Sequence, residues 1–181
     1  MKKSTRNYYV LTGGPGTGKT SLLRRLTEKG VTCIPEVARE IIKEQIQHRG
    51  SALPWADKEA YAKLMWTESL HSYELSKQRF ENDMIFFDRG LLDTICYMEM
   101  ENIKIPEEIH DYLSSDLYKK TFILPPWEEI YVTDSERKQT WAEALATYES
   151  MKNVYEKYGY ETIEVPKLPL EERIQFIERN I

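Results

Sequence analysis

The feature that most constrains this chain is a run of eight residues, Gly13, Gly14, Pro15, Gly16, Thr17, Gly18, Lys19 and Thr20, set between a short apolar segment and a leucine-rich one. The pattern G-x-x-x-x-G-K-[ST], placed where a strand gives way to a helix, is that of a phosphate-binding loop. Glycines admit positive φ and close backbone approach, so successive amide groups can turn inward onto phosphate oxygens. The first amides of the following helix and its macrodipole add about 0.3–1 kcal/mol per favourable charge. Lys19 brings a full positive charge to the β and γ phosphates of a nucleoside triphosphate, and the Thr20 hydroxyl is placed to ligate Mg²⁺. Ser21 closes the segment expected to touch the nucleotide.

The rest of the chain reads as strands separated by helices. Residues 8–12 form a short β-prone run, and 21–29 carry Leu22, Leu23 and Leu26 at helical spacing with Gly30 as a stop. Residues 31–34 make a second strand, ended by Pro35, after which Val37, Ala38, Ile41, Ile42 and Ile46 mark one helical face. A loop with Gly50 and Pro54 precedes a long helix over about 57–80. Residues 84–87 are continuously apolar and closed by Asp88, the form of a strand buried on both faces. A helix over 91–100 follows, then a short one opened by Pro106, a fourth strand at 121–124, a helix over 139–158, a fifth strand at 161–165 and a last helix from Pro169. This alternation predicts an α/β fold, a parallel sheet with helices on both faces.

Two strand ends carry candidate chemistry, since parallel sheets place their ligands at carboxyl ends. Asp88 ends the third strand and reads either as a Mg²⁺ ligand or as a cap for the helix starting near Gly90, roles that can coexist. Arg89 follows, either stabilising charge on a transferred group or clamping an acceptor, or else serving as a surface salt-bridge partner. Asp93, one turn on, either faces the cleft as a substrate contact or answers the helix dipole. Glu36, after the second strand, is positioned to accept a proton from an acceptor hydroxyl, with Arg39 three residues on; the alternative is a helix-start Glu paired with that Arg.

At these residues the chain resembles the NadR-type AAA domain family, P-loop ATPases related to nicotinamide riboside kinase domains and, more distantly, to deoxynucleoside and thymidylate kinases. The matching pieces are GGPGTGKTS at 13–21, PEVARE at 35–40 and FFDRGLLDT at 86–94, and the similarity spans nearly the whole chain. The resemblance implies a three-layer P-loop NTPase fold with a five-stranded sheet of order 2-3-1-4-5. It also implies Asp88 and Arg89 in the place of the acidic-Arg pair of nucleoside kinases and Glu36 in that of their catalytic acid. Those kinases commonly follow the pair with Ser, whereas this chain has Gly90. Related kinases carry an arginine-bearing lid where this chain has TDSERK at 133–138, within a segment spanning 127–141; Arg137 is the lid candidate, with Lys138 second. A solvated helix start is the other reading of that charge. By the same analogy, residues 165–169 border the nucleobase.

These readings lead to an ATP- and Mg-dependent kinase acting on a nucleoside-like hydroxyl acceptor, with a slowly hydrolysing ATPase or GTPase switch as the alternative. Trp55, Trp66 and Trp127 are candidates for lining an acceptor pocket, although aromatics more often pack cores. No N-K-x-D guanine-recognition tetrapeptide occurs, which favours adenine. A length of 181 residues suits one domain with a small lid, which at this size needs no disulfide or structural metal. With 30 acidic against 25 basic residues and a net charge of −5, no nucleic-acid partner is expected. No stretch has 18 consecutive apolar residues or a signal-peptide core, and Cys33 and Cys96 read as reduced core thiols, so the expected compartment is the cytoplasm.

Overall fold

The computed structural model describes residues 6–80, 83–113, 115–130 and 140–181. Five short strands, β1 (Tyr8–Gly13), β2 (Thr32–Ile34), β3 (Ile85–Asp88), β4 (Lys120–Leu124) and β5 (Thr162–Glu164), form one sheet of order β2-β3-β1-β4-β5. Every neighbouring pair is parallel, with Leu11 opposite Asp88, Ile34 opposite Phe87 and Gly13 opposite Leu124. This is the order the resemblance implied, and it puts the ends of β1, β2 and β3 at one edge.

The strands are too short to be stable alone; alternating burial on two faces holds them. Along β1, Tyr8 and Val10 point into a core with Ile85, Phe87, Leu92 and Ile95, while Tyr9 and Leu11 point into another with Leu22, Leu26, Phe122 and Ile174. Each such side chain removed from water contributes about 1.5–3 kcal/mol. The first core is covered by α3 (Lys58–Arg79), α4 (Leu91–Met100) and α6 (Trp141–Lys157), the second by α1 (Lys19–Glu28) and α7 (Leu170–Asn180). Helix α2 (Ala38–Gln47) rests on α3 through Ala38, Ile41, Tyr61 and Met65, and α5 is the short helix Glu107–Leu113. The Asp57 carboxylate caps α3 by accepting from the Ala60 amide at 2.9 Å.

The strand and helix reading of the sequence holds with shifted ends. Helix α1 starts at Lys19, two residues before the expected start. Strand β5 is shorter than expected, and a single 3₁₀ turn at Glu128–Ile130 had no sequence signal. Cys96 is in the core as expected, but Cys33 is half-buried because β2 is an edge strand with one open side. No helix among the described residues is long and apolar enough to cross a membrane.

Candidate functional site

The sharp turn out of β1 needs Gly16 and Gly18 at φ of 79° and 80°, a region that costs any side chain with a Cβ. Inside it, the buried Thr17 hydroxyl donates to the Gly14 carbonyl at 3.0 Å and closes the loop on itself. Residues Gly14, Thr17, Lys19, Thr20 and Ser21 line a cavity of about 870 Å³ together with Glu36, Arg39, Trp55 and Arg89.

From Lys19 the charged residues form a continuous chain through Glu36 and Arg89 to Asp93. Lys19 is only 9% exposed, and its ammonium lies on the Asp88 carboxylate and 3.9 Å from Glu36 Oε2. The other Glu36 oxygen lies 2.9 Å from Arg89 Nε, and Arg89 Nη1 donates to Asp93 Oδ1 at 3.2 Å. Burial alone would raise the pKa of Glu36, but Arg89, Lys19 and Arg39 outweigh it and hold the carboxyl below its ordinary value. For Asp88 burial wins over Lys19, and its pKa is raised. Glu36 is therefore paired with Arg89 and Lys19 rather than with Arg39.

Asp93 is an interior residue, 6% exposed, with both oxygens engaged. Oδ1 accepts from the Thr12 hydroxyl and from Arg89; Oδ2 accepts from the Gly90 amide at 2.8 Å and the Tyr155 hydroxyl at 2.7 Å. The start of α4 is thus capped by Asp93, while the Asp88 carboxylate points at Lys19. Arg89 itself sits at φ 67°, an uncommon backbone for a side-chain-bearing residue, pinned by its amide on the Leu11 carbonyl at 3.1 Å. Its side chain is half-buried in this cluster, 20% exposed, rather than free on the surface.

The glycine that replaces the usual Ser has a steric reason. A Cβ on Gly90 would lie 2.7 Å from the Tyr155 hydroxyl and 3.0 Å from Val10 Cγ2. Tyr155 occupies that space on its way to Asp93. Gly90→Ser is therefore expected to cost about 1–3 kcal/mol in urea unfolding, as overpacking does. Combined with Tyr155→Phe it should cost less than the two single losses added; simple additivity would show that the hydroxyl is not what excludes the side chain.

Among the other expected residues, Arg39 is exposed and lines the same cavity as the loop. Trp55 is 66% exposed and also lines that cavity, whereas Trp66 packs edge-on against Tyr112 and Trp127 lies beyond β4 with the Arg173 guanidinium over its ring. Arg137, Lys138 and most of the expected lid lie outside the described residues. Sequence reasoning did not single out Thr12, Tyr155 or Arg173. Their partners are 81, 62 and 156 positions away in the chain, so no local pattern marks them.

A phosphate-binding loop at the end of β1, carboxylates at the ends of β2 and β3, and the 2-3-1-4-5 order define the fold of a P-loop kinase. A family model described as AAA domain matches residues 8–173, and the chain belongs to that family. Among solved structures it is similar to the NadR protein in complex with NR, at TM-score 0.67 and 16% identity over 96% of this chain and 51% of that one. It is also similar to thymidylate kinase from Ehrlichia chaffeensis, at TM-score 0.61 and 16% identity over 96% of each chain. Deoxyadenosine kinase from M. mycoides with bound dATP matches at TM-score 0.56 and 14% identity, over 96% of this chain and 98% of that one. The chain spans about half the length of the NadR chains it matches. A comparison with curated proteins gave no match.

Proposed function

We propose that the chain is a cytoplasmic kinase that transfers the γ-phosphate of ATP to a hydroxyl of a small, nucleoside-like acceptor. The observation that carries this reading is the convergence of Asp88 and Glu36 on the Lys19 ammonium, with Lys19 and Glu36 both lining the loop cavity. A triphosphate in the loop competes for Lys19, whose charge belongs on the β and γ oxygens. Asp88 then loses its cation, and Glu36 keeps Arg89 but gives up Lys19. With less positive charge around it, Glu36 becomes a better acceptor for the proton of an incoming hydroxyl.

The residues fit Mg²⁺. Asp88 and Thr20 supply hard oxygens, the number of protein ligands Mg²⁺ commonly takes beside substrate phosphates, and the Asp88 carboxylate already attracts a cation. When bound, the ion would neutralise charge on phosphate oxygens. Arg89, fixed by Asp93 and Glu36, holds its guanidinium at the cavity wall, where charge on the transferred group would develop. Arg39 faces the same space and suits an acceptor contact. Two free thiols, Cys33 and Cys96, favour a reducing compartment.

The test is ADP formation measured against a panel of nucleosides and related alcohols. Acceleration by one acceptor supports the kinase; slow turnover indifferent to all of them replaces it with the switch reading. With an acceptor in hand, Glu36→Gln is expected to lower kcat by about 10²-fold with little change in the KM for ATP. An unchanged kcat removes Glu36 from proton transfer.

A further inference from the structure

Tyr155 is a fully buried residue of α6 that the reading above leaves unused, although Asp93 and Arg89 link it to Glu36. Its hydroxyl donates to Asp93 Oδ2 at 2.7 Å, the one acceptor it has among the described residues. Burial and the Asp93 charge both push its pKa well up, so it stays a donor across the working pH range. The Thr12 hydroxyl also donates to Asp93 but can turn instead to Met151 Sδ at 3.7 Å. Of the two hydroxyls, that of Tyr155 is the fixed one.

Arg89 is shared between two carboxylates. Its Nε lies 2.9 Å from Glu36 Oε1, and its Nη1 donates to Asp93 Oδ1 at 3.2 Å. A carboxylate has about four acceptor sites, so its pull on a guanidinium falls as other donors fill them. Besides Arg89, Asp93 accepts from Thr12, the Gly90 amide and Tyr155. The guanidinium also has room to shift, because Arg89 lines a second, small cavity of about 30 Å³ with Glu36, Asp93 and the α3 residues Ser69 and Ser72. We propose that Tyr155 is a positioning residue for phosphoryl transfer: by occupying Asp93 Oδ2 it limits the hold of Asp93 on Arg89 and keeps that guanidinium on Glu36, beside the phosphate cavity. The inference rests on the kinase reading proposed above, in which Glu36 takes the proton of the acceptor. Without the hydroxyl, Oδ2 is left with the Gly90 amide, Asp93 becomes the stronger partner, and Arg89 moves toward it and away from Glu36. Helix α6 is thereby tied to the chemistry at the ends of β2 and β3.

Tyr155→Phe keeps the ring and removes only the hydroxyl, and two measurements on it test the proposal. In ¹H–¹⁵N spectra the Arg89 Nε–H signal, identified by its absence from Arg89→Lys, is expected to exchange with water about tenfold faster or more, since it loses the Glu36 oxygen that holds it. In ADP formation from Mg²⁺-ATP with water as the acceptor, Tyr155→Phe should lower kcat about tenfold and leave the KM for ATP within about twofold, the pattern of an interaction made only in the transition state. In a Glu36→Gln background the same substitution should change kcat by less than about twofold, because the residue it acts through is gone. Tyr148→Phe removes another α6 hydroxyl, the one bonded to Glu164, and as a control should move neither readout. An unchanged Arg89 signal in Tyr155→Phe overturns the proposal whatever the rate does, and so does a kcat loss of equal size in both backgrounds. Should Tyr155→Phe fail to fold, Thr12→Val withdraws a donor from the other Asp93 oxygen and is expected to shift the Arg89 signal the same way; an unchanged signal there overturns the proposal equally. A wild-type chain that forms no ADP, or whose rate ignores Glu36→Gln, defeats the kinase reading and the catalytic role together, while the Arg89 signal still decides whether Tyr155 positions that guanidinium.

Discussion

Asp93→Ala is expected to destabilise the folded chain by about 3–5 kcal/mol, the usual cost of leaving a buried charged group without its partner. The carboxylate is the common acceptor for Thr12, Arg89, the Gly90 amide and Tyr155, and alanine leaves all of them facing a space with no oxygen. A chain of this size loses roughly 2–4 °C of Tm per kcal/mol, so the variant should melt about 6–20 °C below wild type. Asn at the same position keeps one acceptor oxygen and presents an amide to groups that are themselves donors, so it should fall between the two. Activity should fall beyond the loss of folded protein, because Arg89 keeps Glu36 but loses the bond that orients its other side. A thermal scan showing Asp93→Ala within about 1 kcal/mol of wild type would mean that Asp93 is not the hub of this cluster.

Lys19→Ala is expected to lower kcat/KM for ATP by about 10²–10³-fold, the scale of removing one preorganised charge-stabilising group from a water-poor site. The effect has two sources. The phosphates lose the one ammonium within the loop, and Asp88 and Glu36, which Lys19 holds, repel the triphosphate once it is gone. Lys19→Arg should recover little, since the planar guanidinium is longer than the ammonium and would have to fit between two carboxylates spaced for a point charge. Calorimetry of the folded Ala variant with Mg²⁺-ATP is the direct check. Binding equal to wild type would show that the loop does not hold the triphosphate in the way its sequence implies.

Much of the architecture was legible in the chain itself. Short apolar runs ended by Gly, Pro or Asp marked the strands, leucine and isoleucine spacing marked the helices, and the glycines and Lys19 marked the loop, because each signal acts within a few residues. The sheet order came from family resemblance, since period and propensity say nothing about which strands lie side by side. The local signals misled where a neighbour was unknown. Cys33 looked like core until β2 proved to be an edge strand, and Glu36 had Arg39 as its nearest cation in sequence although Arg89 and Lys19 are its partners in space.

The sequence by itself determined the alternating pattern, the phosphate loop and the presence of acidic groups at two strand ends, all consequences of backbone sterics and local hydrophobic spacing. Only the tertiary structure decided what each charge faces. Asp93 became an interior anchor because Thr12 and Tyr155 come from distant elements, and Gly90 fits where a Cβ would crowd the Tyr155 hydroxyl. Arg173 met the loop only because α7 packs against α1. A side chain's ionic partners are set by packing across the sheet, and the order of residues along the chain carries little record of that packing.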